Sequence, residues 1–336
     1  MGRYIIRRLL QFIPTALGTM FLLHYLTSLA IQFSGDPVRA LFGDRTPDPA
    51  LVAAIRQRLG YDNDCLNERG NPCFGLFWER MQGIFLHFDF GVNLRMRPVT
   101  DLVAESIPFT LKIVLIAIIF EAVVGIAAGV LAGLRGGSWL DYMVKISTVF
   151  VISVPIFVLG IVVREYVGVK FGNTLREQDW IPDLISTGIF SAGFKAEYPF
   201  ASLIIPGLVL GATSLATTAR LTRTSIMENV RSDYVRTAKA KGLAQKRVIG
   251  IHTLRNSLIP VITYLGVDIG TLMGGAVVTE TIFNVPGIGR LVTQAARTGE
   301  APVVIGVVTM LALVFLVTNL LVDLLYAVLD PRIRYE

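Results

Sequence analysis

Long apolar runs alternate with short polar stretches along this chain. The runs cover residues 9–35, 113–134, 146–163, 198–219, 256–279 and 301–322. Four of them hold no Asp, Glu, Lys or Arg; 113–134 holds only Glu121 and 256–279 only Asp268. A helix needs roughly 20 apolar residues to cross a bilayer, so all six qualify, with 146–163 near the lower limit. Among the polar stretches, 49–59 reads as a short helix, because Leu51, Ile55 and Leu59 recur every four residues. In 219–256, Ser232 or Asp233 can cap a helix start. Residues 234–241 then make about two turns, with Lys239 and Lys241 at the end that favours cations and Gly242 as a left-handed stop. Residues 243–256 start a second helix that runs into the fifth apolar run. On the first helix Tyr234 and Ala238 share a face with Val235 beside them. That compact face is one that can enter a groove on another protein; the alternative is an ordinary solvated loop.

Composition agrees with the pattern. Hydrophobic residues make up 53% of the 336 and charged residues 17%, against about a quarter in a soluble domain. Mean hydropathy is +0.61. An all-α integral membrane protein is the class implied. Lys and Arg in excess mark the cytoplasmic side. Arg3, Arg7 and Arg8 precede the first run without an acid, and 219–256 holds nine basic and two acidic residues, a net of +7. Residues 33–106 hold eight basic and ten acidic, a net of −2. Six spans beginning inside place 219–256 and the tail with Arg332 and Arg334 inside, so parity and charge agree. The overall charge of +6 is therefore a topology signal and gives no support for nucleic acid as a partner; the partner of the apolar surface is membrane lipid. The basic start, apolar run and Ser28-Leu29-Ala30 have the outline of a cleaved leader, but the run is too long for one.

The expected organisation is a cytoplasmic N-terminus and first span (1–32), an extracytoplasmic α-rich insert (33–106), a five-span core (107–330) containing the cytoplasmic loop 219–256, and a cytoplasmic tail (331–336). Aromatics at Phe77, Trp78, Phe85, Phe88 and Phe90 suit the headgroup zone or the helix ends. Cys65 and Cys73 both fall in the insert, where an oxidising compartment permits a disulfide around a loop rich in turn formers; two unlinked thiols are the alternative. Gly125, Gly129 and Gly133, and again Gly266, Gly270 and Gly274, repeat at four-residue spacing, which lets helix backbones approach closely in lipid. Pro155 and Pro206 sit inside spans as candidate kinks. Glu121, Asp268, Glu280 and Asp323 are intramembrane acids scattered over different segments, a poor pattern for a proton relay. His24, His87 and His252 lie far apart and make neither a metal site nor a triad; no metal ligand set is expected. No Gly-x-x-x-x-Gly-Lys-Ser/Thr loop is present for nucleotide phosphates.

One ordered set of motifs carries a resemblance. Arg236-Thr237-Ala238-Lys239-Ala240-Lys241-Gly242, nine residues, then His252-Thr253-Leu254-Arg255-Asn256 resembles the EAA loop of ABC importer permeases, and more narrowly the B-type permease of oligopeptide and dipeptide importers. Around it stand Arg7-Arg8-Leu9-Leu10 with Ile13-Pro14-Thr15, Gly35-Asp36-Pro37, Asp89-Phe90-Gly91, Gly136-Gly137-Ser138-Trp139-Leu140-Asp141, Arg220-Leu221-Thr222-Arg223 and Asn256-Ser257-Leu258-Ile259-Pro260. The run 274–283, Pro286-Gly287-Ile288-Gly289-Arg290-Leu291 and Asp330-Pro331-Arg332 complete the order. Arg236-Thr237 stands where the wider superfamily has Glu-Ala, Gly299-Glu300-Ala301-Pro302 replaces an acid-aromatic-proline run, and the Cys65–Cys73 insert is unusual.

The resemblance implies a transport subunit in a bacterial inner membrane without its own ATPase site or cofactor. ATP and Mg would be bound by partner chains. It implies a homologous second permease, two ABC ATPase subunits and an extracytoplasmic peptide-binding protein as partners. Asp233, Tyr234, Arg236, Thr237, Ala238 and Gly242 would form the element that docks in an ATPase groove. The rivals are a permease of the same family with another cargo, such as a nickel chelate or glutathione, a self-sufficient ion-coupled carrier, and a membrane anchor for a signalling complex.

Overall fold

Backbone N–H and C=O groups have no water to bond with inside a bilayer, and a helix satisfies them within one segment. The computed structural model describes residues 2–34, 38, 47–59, 61–93, 95–298 and 300–329, and it is helical accordingly. The helices are α1 (Gly2–Ser34), α2 (Pro49–Leu59), α3 (Phe74–His87), α4 (Val99–Phe120), α5 (Ile126–Leu134), α6 (Trp139–Ser153), α7 (Ile156–Val163) and α8 (Gly172–Arg176). They continue with α9 (Ile204–Val230), α10 (Asp233–Ala240), α11 (Gln245–Arg247), α12 (Leu254–Ser257), α13 (Ile259–Ile282), α14 (Ile288–Arg297) and α15 (Ala301–Leu329). Extended pairing among the described residues amounts to a single bridge, Val92 with Pro98. Gly35-Asp36-Pro37, Gly299 and the tail with Arg332 and Arg334 lie outside the described residues, as does the side chain of Asp323.

Five helical stretches are long and apolar enough to cross a bilayer: Ile6–Phe33, Val99–Leu134, Ala201–Val230, Ile259–Ile282 and Pro302–Leu320. The sixth apolar run takes another form. Trp139–Ser153 and Ile156–Arg176 are bent by 99° at Val154 and Pro155, so Pro155 breaks the run expected to span as one helix. Proline lacks an N–H and drives the residue before it out of the helical region; Val154 is extended, with φ −93° and ψ 119°. Pro206 has no such effect. It is the third residue of α9, in the first turn, where an N–H has no intrahelical partner to lose. The second span also begins earlier than its apolar run. Val99–Leu134 is 36 residues, or ~54 Å of helix at 1.5 Å per residue, against a hydrocarbon core of ~30 Å. The boundary expected at 106 therefore falls inside a helix.

The chain forms two compact units. In the unit drawn from Met1–Pro108 and Arg290–Glu336, α1 lies along α15 and the polar insert folds onto the end of α1. Cys65 and Cys73 are joined by a disulfide with Cα atoms 5.5 Å apart. Around it Tyr61, Leu66, Cys73 and Leu76 make an apolar cluster, with Ile31, Val52 and Ile55 packed against it. Of the residues that share one face of α2 in the sequence, Ile55 packs against this cluster together with Val52, while Leu51 is 49% exposed. Gln32 reaches into the disulfide loop, donating from Nε2 to the Asn71 carbonyl at 2.9 Å and accepting from the Gly70 N–H at 2.8 Å. The aromatics divide: Phe77 and Phe90 pack inward against Met20, Met81 and Ile84, while Trp78, Phe85 and Phe88 are exposed.

In the unit Phe109–Gly289, α9 is the most buried span and packs against α5, α6, α7 and α13. Three of the predicted glycines make the closest part of that packing. A Cβ on Gly125 would lie 3.0 Å from Thr218 Cγ2, one on Gly129 only 2.5 Å from Thr222 Cβ, and one on Gly133 2.8 Å from Ile226 Cβ. Between Phe120 and Ile126 the helix loosens into one π-helical turn, Glu121–Gly125, where the contact begins. In the second glycine row Gly274 is exposed, and a Cβ there would meet nothing within 4 Å among the described residues. Gly275 is the one that approaches α9, at 3.3 Å from Leu210 Cδ1. Gly270 is buried and Gly266 half-buried.

Gly129→Leu must push α5 off α9, and we expect it to lower the stability of the detergent-purified chain by about 1–3 kcal/mol, read by thermal unfolding. Gly274→Ala, facing open space, is expected to leave the transition unchanged.

Candidate functional site

The basic stretch is a continuation of the bundle. α9 runs on past its apolar part to Val230, and that extension is fastened on two sides. Asp141, fully buried at the start of α6, accepts from both Nε and Nη2 of Arg223, the second at 2.9 Å. It also accepts from the Gly137 N–H at 2.9 Å and faces Lys145 Nζ at 3.0 Å. Ser138 caps α6 by accepting from the Asp141 N–H. Breaking such a buried, forked pair from one side is costly because the remaining charge is stranded. On the other side, Ser257 Oγ donates to the Ser225 carbonyl at 3.2 Å.

After two linking residues comes α10. Ser232 occupies the cap position, but its hydroxyl donates back to the Asn229 carbonyl at 2.6 Å and leaves the α10 N-terminus uncapped by a side chain. Tyr234 Oη donates to Asn229 Oδ1, while Asn229 Nδ2 donates to the Ser225 carbonyl at 2.9 Å. The Tyr234 ring is 39% exposed, tethered to α9 and only partly free. The far end closes as a Schellman motif. Gly242 has φ +77°, its N–H donates to the Lys239 carbonyl at 2.9 Å, and the Leu243 N–H donates to the Ala238 carbonyl at 3.3 Å.

The underside of α10 is apolar and closed. Val235, Ala238 and Val248 are buried together, with Leu243 against them. Ala238, expected to share an outward docking face with Tyr234, thus points into the loop's own core. The outward side is polar: Asp233, Arg236, Thr237, Lys239 and Lys241 are exposed, Asp233 and Arg236 sit 3.5 Å apart, and Thr237 Oγ1 donates to the Asp233 carbonyl at 2.9 Å. A solvated pair of that kind contributes little. The chain then passes through α11, a π-helical segment Val248–Thr253 and α12 into α13.

Deeper in the same unit, two acids that the sequence scatters are neighbours. Glu121, buried where α4 loosens, accepts from Thr218 Oγ1 of α9. Its carboxyl lies against that of Asp268 on α13. Tyr264, one turn from Asp268, is within reach of Thr217 and Ser214. Among the described residues, Glu121 Oε2 and Asp268 Oδ2 are buried without a donor on either. A third acid, Glu280, is fully satisfied. Its Oε1 accepts from Thr110 Oγ1 at 2.6 Å and its Oε2 from the Gly289 N–H at 2.7 Å. Gly287 is needed there, since a Cβ would sit 2.3 Å from the Glu280 carboxyl. Glu280 is a brace that folds the segment after α13 back on itself.

Residues 125–335 match the family described as the binding-protein-dependent transport system inner membrane component. The chain belongs to that family. It is an integral, multi-pass inner membrane component of a binding-protein-dependent transport system. Named relatives match along its whole length. The dipeptide transport system permease protein DppB of Escherichia coli (strain K12) is 35% identical over 350 residues, covering 100% of both chains. That of Alkalihalophilus pseudofirmus is 34% identical over 343 residues, covering 99% of each. The glutathione transport system permease protein GsiC of Escherichia coli (strain K12) is 34% identical over 338 residues, covering 100% of both.

Of the residues that hold this permease's basic loop in place, Asp141, Asn229, Ser225 and Ser257 carried no assigned role in the sequence reading. Ser138 followed three residues later by Asp141 is a visible capping pattern; the partnership with Arg223, 82 residues away, has no local signal.

We expect Gly242→Val to strain the α10 stop by about 1–3 kcal/mol, seen as faster amide hydrogen exchange across 238–248. Glu121→Gln, which keeps the shape and offers Asp268 an N–H, is expected to leave thermal stability within ~1 kcal/mol. Glu121→Leu, which strips Thr218 of its acceptor, is expected to cost about 1–3 kcal/mol.

Proposed function

We propose that this permease is one transmembrane half of an ATP-driven peptide importer. The chain crosses the membrane six times, with the bent pair α6 and α7–α8 as the third crossing and both termini inside. It works with a homologous second permease, two ATPase subunits that bind ATP and Mg, and an extracytoplasmic peptide-binding protein. Support for the cargo comes from the names of the full-length relatives, two dipeptide permeases and one glutathione permease, all carriers of small peptides.

The observation that carries the coupling reading is the build of α10. A lone two-turn helix in water is unstable, yet this one stands on its own apolar cluster and is stopped by a Schellman motif. It is joined rigidly to α9 at one end and, through 245–257, to α13 at the other. Its outer side is basic and exposed. Seated in an ATPase groove, it transmits closure of the ATPase dimer to α9 and α13, and the permease shifts between inward- and outward-open states, each favoured by a different bound partner. Docking rests on Tyr234, Arg236, Thr237 and the neighbouring lysines. Ala238 supports the helix from beneath, so Ala238→Trp disables coupling by bursting the loop core.

Arg236→Glu with Lys239→Glu reverses the outer charge and leaves the apolar cluster intact. In cells that depend on a dipeptide for a required amino acid, uptake is expected to fall at least about tenfold, the effect of ~1.4 kcal/mol, at unchanged membrane level. Normal uptake, or transport by this chain alone in liposomes, would sink the reading. Competition between dipeptide and glutathione in the same assay decides cargo length.

A further inference from the structure

A cavity of about 450 Å³ opens in the unit that holds the insert, α1 and α15. Its walls include Met20, Leu76, Met81, Ile84, Phe90 and Ile305, an apolar lining of the size and character of small-molecule sites. Three polar groups converge on it. Arg80 of α3 is half-buried and lines the cavity. Its one hydrogen bond runs from Nη1 to His24 Nδ1 at 3.3 Å, and no acid among the described residues pairs with it. His24 Nε2 contacts the Cys73 carbonyl at 3.2 Å. Since a carbonyl only accepts and a guanidinium only donates, the proton of His24 is on Nε2 and the ring is neutral. Tyr61, 8% exposed, lines the same cavity beside Arg80, and its hydroxyl has no partner among the described residues.

A guanidinium partly withdrawn from water, with no counter-charge among the described residues, is costly. The remaining Arg80 N–H groups form a fork suited to a carboxylate or phosphate. Burial pushes the Tyr61 hydroxyl up to about 12, so at neutral pH it is a donor too. Two acids touch the cavity, but Asp89 is occupied by the Gly91 N–H at 2.8 Å and Glu79 is exposed. We propose that this cavity is a binding site for a small organic oxyanion, its carboxylate or phosphate held by Arg80 and Tyr61 and its apolar body against the methionine and isoleucine walls. His24 positions Arg80 and ties the site to the disulfide through Cys73. The site is independent of the cargo that the permease carries.

Calorimetry on the full-length chain in phosphatidylcholine nanodiscs tests this, with hexanoate, hexyl phosphate and hexylamine as probes. The two anions are expected to bind saturably at one site and hexylamine not to. Arg80→Gln is expected to weaken anion binding at least about tenfold and Tyr61→Phe several-fold, as for lost bonds to a charged group. The disulfide and the thermal transition of each variant are checked first, and Arg80→Lys serves if Arg80→Gln does not fold: it keeps the charge, loses the fork and is also expected to bind more weakly. Anion binding unchanged in the variants, equal binding of hexylamine, or no saturable binding overturns the proposal. Native mass spectrometry then separates two sources of the same chemistry. An anionic phospholipid carried by the wild type and lost in Arg80→Gln marks a membrane ligand; hexanoate binding without such a lipid marks a soluble one.

Discussion

The near-contact of the α5 and α9 backbones is what the rest of the core depends on. Lipid tails are as apolar as leucine, so two membrane helices gain little by hiding apolar surface from lipid; they gain by dispersion over closely matched surfaces. Gly125, Gly129 and Gly133 remove the side chains that would hold α5 away, and Thr218, Thr222 and Ile226 fill the space. The polar partnerships of α9 add to that contact. Thr218 is brought to Glu121, Arg223 to Asp141, and Ser225 to Ser257. The Thr218–Glu121 bond, made on the same helix as the glycine row, does not form if α5 and α9 stand a side chain further apart.

Read along α9, those partnerships make a ladder from the membrane interior to the basic loop. Thr218 bonds across to the α4–α5 helix, Arg223 to α6, Ser225 to α12, and Asn229 to Tyr234 of α10. The steps are five, two and four residues, so Thr218, Ser225 and Asn229 share one face of the helix while Arg223 leaves the other, and α9 is held on two sides. A displacement at α10 cannot be absorbed in a slack linker. It must move α9 as a body or break a charge-assisted bond. This is the mechanical property that a transmitting element requires, and it resides in pairings within the chain.

Much of this was legible in the sequence, and the gaps have physical causes. Apolar runs and the basic stretch define the spans and the loop because hydropathy and charge are local. Gly242 and the first glycine row were legible because one residue type meets one geometric need. Pro155 and Pro206 look alike in sequence; only the helix phase shows that one breaks a span and the other sits harmlessly in a first turn. The glycines at 266, 270 and 274 share the spacing of the first row, yet Gly274 faces open space among the described residues, and spacing alone does not name a partner. Ala238 shows a related limit: in short helices the direction of burial is set by what folds over them. The Glu121–Asp268 and Arg223–Asp141 contacts join positions more than eighty residues apart, with no local trace.

Burial of Ala238 changes what kind of recognition the loop can offer. A face built from Tyr234 and Ala238 would dock by shape and apolar area. The face that exists is ringed by Arg236, Lys239 and Lys241, with Asp233 and Thr237 among them and one tethered aromatic ring at the edge. Such a surface speeds encounter with an acidic groove and fixes orientation more than it adds affinity, and its effect weakens as salt screens it. Under the proposed coupling, the lasting grip would come from the Tyr234 ring and from the fit of a helix whose shape is already set by Val235, Ala238, Leu243 and Val248. Preorganisation of that kind keeps the cost of ordering off the binding step, so a small polar helix can serve as a joint between two proteins.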